Sequence, residues 1–85
     1  MAGSKNAKLY GGDGEKLTGV KIGEILDVPA RTVQEWLCGG AKFPVERLVD
    51  LQCQLDVGDR MFRNWCDEIA RVNRIARRAR NAAQD

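Results

Sequence analysis

Apolar and polar positions change their spacing along this chain at about Thr18. Residues 1 to 18 hold four glycines and few large apolar side chains, chiefly Leu9, Tyr10 and Leu17. Such a stretch buries too little surface to offset its ordering entropy, so residues 1–17 are expected to form a flexible arm. A short strand or turn around Leu9 to Leu17 is the alternative for part of it. From Thr18 the spacing becomes helical: Val20, Ile22, Gly23, Ile25 and Leu26 make an apolar stripe, with Lys21 and Glu24 outside it. Thr18 is placed to cap that helix, although Lys21 stands where a capping-box glutamate would. The helix should end near Leu26–Asp27, because Val28 precedes Pro29 and the residue before a proline is pushed out of the α region. Pro29 suits the first turn of a second helix, which runs to about Leu37 and stops at Gly39-Gly40. Its inward face is Ala30, Val33, Trp36 and Leu37; its outward face is Arg31, Thr32, Gln34, Glu35 and Cys38.

Pro44 opens a third helix, Val45 to about Leu55, with a buried stripe of Leu48, Val49, Leu51, Gln52 and Leu55 and a break at Gly58. Asp59 reads as the N-cap of a long last helix, about Arg60 to Ala83. Along it Phe62, Trp65, Ile69, Val72, Ala76 and Ala79 recur at spacings of 3-4-3-4-3, and Met61, Cys66 and Ile75 widen the stripe. No segment after residue 17 alternates as a strand does.

Length and composition narrow this picture. A chain of 85 residues is one small domain. Its cysteines, Cys38, Cys53 and Cys66, are odd in number and far apart, with no CxxC pair and no histidine to complete a zinc site. They read as reduced, partly buried thiols in a cytoplasmic protein. No apolar run approaches the roughly 20 residues that cross a bilayer, and no signal-peptide core follows the N-terminus, so no membrane association is expected. GGDGEK lacks the spacing of a phosphate loop. With no histidine, no serine beyond Ser4 and no acid pair framed by a pocket, neither a catalytic triad nor a metal hydrolase can be assembled. The expectation is a non-enzyme without cofactor, metal or small-molecule ligand. The net charge is only +2, but seven of the nine arginines lie from Arg60 onward, which points to a polyanionic partner.

Two short helices joined by a tight turn, the second opened by proline, form a helix-turn-helix pattern. The stretch GVKIGEILDVPARTVQEWLCG resembles that unit in the lambda-repressor/Cro-like family, which includes small phage and prophage regulators. Gly23 matches the small residue that the family places in the first helix, and Val28 the hydrophobic residue after the turn. Val33 and Trp36 match the branched apolar residue and the tryptophan of the second helix. GGAKFPVERLVDL resembles the loop and helix that follow. The chain departs from the pattern in two places: Asp27 stands where the turn usually has glycine, and a Gly-rich segment replaces the usual preceding helix. The likeness spans roughly Leu17 to Leu55.

The resemblance implies an all-α fold: a compact helix-turn-helix core over residues 18–57 and a long basic C-terminal helix over residues 58–85. It implies a sequence-specific regulator, repressor-like, that binds double-stranded DNA in the cytoplasm as a homodimer. Arg31, Thr32, Gln34 and Glu35 would then contact bases, with Arg31 suited to guanine and Gln34 to adenine. Lys21 and Lys42 would contact phosphates. Arg31 and Glu35, an i, i+4 pair, also suit a plain surface ion pair. The last helix has three uses open to it: dimerisation through Phe62, Trp65, Ile69, Val72 and Ala76, packing back on the core with a basic tail, or RNA binding through its arginines. From another class, the same domain suits a small phage-type interaction module, such as an anti-activator or an inhibitor of a host protein.

Overall fold

The computed structural model describes residues 6–84. Its helices are α1 (Gly19–Leu26), α2 (Ala30–Cys38), α3 (Val45–Leu55) and α4 (Asp59–Gln84), preceded by an antiparallel hairpin of β1 (Leu9–Tyr10) and β2 (Lys16–Leu17). Helix predominates among the described residues, and the fold is all-α.

Residues 6–17 are an ordered hairpin rather than a flexible arm, with strands where a short strand or turn around Leu9 to Leu17 was expected; residues 1–5 lie outside the described part. Leu9 sits opposite Leu17, and both are buried with Ala7, while Lys8 and Tyr10 face outward. The connecting loop closes through Gly11 N–H to the Glu15 carbonyl at 2.7 Å, and Gly14 takes a φ of 86° that favours glycine. Too short to stand alone, the hairpin is tied to the helices by its backbone. Ala7 N–H donates to the Leu37 carbonyl at 2.8 Å, Lys8 N–H to Glu68 Oε1 at 3.0 Å, and Trp65 Nε1–H to the Tyr10 carbonyl at 3.0 Å. These bonds satisfy groups that a bare two-stranded ribbon would leave to water.

Thr18 caps α1 by accepting the Lys21 N–H at 3.1 Å. Asp27 ends α1 in the left-handed region, φ 57°, and the Val28 N–H returns to the Gly23 carbonyl at 2.9 Å. Of the stripe expected on α1, Ile22, Gly23 and Leu26 are buried, but Val20 is 58% exposed. Pro29 accepts the first bonds of α2, and Gly39 ends it at φ 85°. On α2, Val33, Trp36 and Leu37 are buried, as their spacing predicts. Trp36 packs on Phe43 with ring centroids 4.9 Å apart.

On α3 the buried residues are Leu48 and Leu51; Val49 is 41% exposed. The helix ends at Asp56, again left-handed at φ 53°, two residues before the expected break at Gly58. Asp59 lies inside α4, whose first bond joins Phe62 N–H to the Gly58 carbonyl, and its carboxylate accepts from Gln52 Nε2 at 3.3 Å. α4 has 26 residues, about 39 Å at 1.5 Å each, and lends the molecule its long 44 Å dimension. Trp65, Ile69 and Val72 are the part of its seam that enters the core, beside Leu9, Ile22, Val33 and Leu51.

Candidate nucleic-acid interface

The α1–turn–α2 unit rests on one close approach. A Cβ placed on Gly23 would lie 2.6 Å from the Val28 carbonyl oxygen and 3.4 Å from the Ala30 nitrogen, so only glycine fits beside this turn. That approach fixes α2 against α1 and turns its polar face outward. Arg31, Gln34, Glu35 and Cys38 are exposed there, and Thr32 is half-buried.

Arg31 has no ion pair and no side-chain hydrogen bond among the described residues. The Arg31–Glu35 ion pair that the spacing allows is not formed. Gln34 leans toward α1: a Cβ on Gly19 would meet its Nε2 at 2.5 Å, and it shares a cavity with Lys16, Thr18 and Gly19. Glu35 lies toward the other end, with its carboxylate 3.7 Å from where a Cβ on Gly40 would sit. The cleft between α1 and the start of α2 is lined by Val20, Glu24, Asp27 and Ala30 and holds no cation.

The phosphate-contacting assignments fare differently. Lys21 is ion-paired with Glu15 of the hairpin loop, so a phosphate there would compete with that carboxylate. Its partner lies in the segment taken for an arm, so the pairing was hidden from the sequence pattern. Lys16, beside Gln34 and without an ion pair among the described residues, is the cation better placed at that edge. Lys42 is exposed and lines a cleft with Asn73, Arg77 and Arg80 of α4. The C-terminal arginines signalled a polyanion from composition, but only the fold shows which of them meet Lys42.

Three of the residues assigned to dimerisation are taken up inside the chain itself. Trp65 is 1% exposed, Val72 1% and Ile69 8%, all packed within the chain's own core, and Phe62 and Ala76 are half-buried. The hairpin and α2 cover the α4 seam because Leu9, Ala7 and Gly39 reach it, leaving Ile75 exposed on its flank. The geometry is that of a helix folded back on its core with a basic tail. Cys38 and Cys53 are exposed rather than partly buried, and Cys66 alone is half-buried. All three are free thiols.

Glu68 accepts from Arg71 Nε at 3.0 Å and Nη2 at 3.1 Å, and from the Lys8 N–H. Those bonds, with Arg71 the largest contributor, hold its carboxyl below the usual glutamate range. No described helix is long and apolar enough to cross a membrane. Fold and surface together define a small all-α protein with a tightly joined helix pair whose polar face is open. Among protein-family models, curated proteins and solved structures, none matches the chain.

Proposed function

We propose that the protein binds double-stranded DNA with sequence preference, as a helix-turn-helix regulator of repressor type with α2 in the major groove. The observation that carries this reading is the α1–turn–α2 unit, where Gly23 permits an approach that leaves Arg31 unpaired on the outer face of α2. A guanidinium held open there is ready to bond guanine O6 and N7. Gln34, Glu35 and Thr32 complete the reading face, and Lys16 borders it. Bound over a promoter, the protein acts by occlusion. A palindromic operator brings two copies together; they meet away from Trp65, Ile69 and Val72, which the core already uses.

Selection from random duplex DNA, followed by affinity measurement of Arg31→Ala on the selected site, tests this. The expected loss is about 1–3 kcal/mol, confined to one or two base pairs. Selection that recovers no common sequence would overturn sequence-specific binding and favour the interaction-module reading.

A further inference from the structure

We infer that the cleft between the α2–α3 loop and the C-terminal half of α4 seats backbone phosphates of the same DNA, a second grip beside the reading face. This rests on the DNA reading above. The cleft has a volume of about 300 Å³ and is lined by Gly39 to Lys42 on one side and by Asn73, Arg77 and Arg80 on the other. Three cations from two separate segments converge on it, and no carboxylate lines it. None of the three has an ion pair among the described residues. Like charges gathered with no carboxylate in the lining repel one another, and an anion between them relieves that repulsion.

Packing holds the walls in place. A Cβ on Gly39 would lie 2.9 Å from the Ala76 Cβ and 3.2 Å from the Val72 carbonyl oxygen, so α4 crosses the end of α2 at van der Waals distance. Asn73, Arg77 and Arg80 follow at i, i+4 and i+7 and share one helix face. Arg74 and Arg78 do not line the cleft. Gly39 and Gly40 leave its floor as bare backbone, and Asn73 adds a neutral amide. Glu35 stands at the rim near Gly40, on the side of the reading face.

Position selects duplex DNA over other polyanions. Cys38, the residue before Gly39 of the cleft wall, lies about 12 Å along the α2 axis from Ala30. The major groove is about 12 Å wide. With the N-terminal half of α2 over base edges, its far end meets the sugar–phosphate wall.

The test compares the wild type, Arg77→Gln/Arg80→Gln and the control Arg74→Gln/Arg78→Gln, which removes the same charge from outside the cleft. Binding to a random duplex and to a single-stranded RNA of equal length is measured across a salt series. The cleft pair should lower the slope of log affinity against log salt on the duplex by about 1 to 2, close to 0.9 for each phosphate that is no longer neutralised. The control should leave the slope within half that change. Equal reduction in both pairs, or none in the cleft pair, overturns the proposal. An effect of the cleft pair on RNA alone overturns it in favour of single-stranded RNA. Failure of the DNA reading shows separately, as selection without a common sequence, while the duplex slope still reports on the cleft.

Discussion

Gly23 does what few single residues do in a small domain: its missing side chain sets the angle at which two helices meet. Helix propensity alone favours alanine over glycine inside a helix by about 1 kcal/mol. Here a Cβ would press on the Val28 carbonyl at 2.6 Å, a backbone atom that moves only if the turn opens. Gly23→Ala is therefore expected to destabilise by about 1–3 kcal/mol in urea unfolding. A gain in stability would show that the turn gives way freely. Gly23 was legible from sequence because its role is local, within a few residues of the turn. Asp27 was legible for the same reason, since aspartate tolerates the left-handed region that the turn requires. Lys21 was not: its partner Glu15 belongs to a loop whose order depends on residues far along the chain.

At the scale of elements, the helices were visible and the hairpin only faintly, as a short strand or turn around Leu9 to Leu17. Helical spacing repeats over enough residues to be counted, and α2 and α3 begin where their prolines place them. The strands have two residues each, too few for alternation to register. Their order comes from Trp65, Glu68 and Leu37, which no local pattern connects to Leu9. Because Leu9 is fully buried, Leu9→Ala should cost about 2–5 kcal/mol; a flexible arm would lose almost nothing, and urea midpoints separate the two. The bond from the hairpin to Glu68 also makes stability depend on acid. The Glu68 carboxyl is held below its ordinary range, so its contribution is full above that range and fades as pH falls through the lowered value. Glu68→Gln should lower the thermal midpoint at neutral pH and narrow its gap to the wild type below about pH 4. A gap that stays constant with pH would remove the ionised carboxylate from the account.

Over the whole molecule, α4 joins two regimes. Its first half supplies Trp65, Ile69 and Val72 to the core, and its second half carries Arg74, Arg77, Arg78 and Arg80 on the surface. The repeating seam is continuous in sequence, so spacing alone offered a dimer interface as readily as a core. What decides is how much apolar surface the rest of the chain brings to it, and the hairpin and the end of α2 bring enough to cover it up to Ala76. The seam therefore has a measurable edge, with Val72 inside it and Ile75 on its exposed flank. Val72→Ala removes buried methyl groups and should cost about 1–3 kcal/mol, or roughly 4–24 °C in the thermal midpoint for a domain of this size. Ile75→Ala, at a residue 40% exposed, should stay within about half a kcal/mol of the wild type. Both differences should be the same in dilute and concentrated protein, because the packing lies within one chain. If the cost of Val72→Ala instead grew with protein concentration, the seam would be holding two chains together, and α4 would have to leave the core to do it.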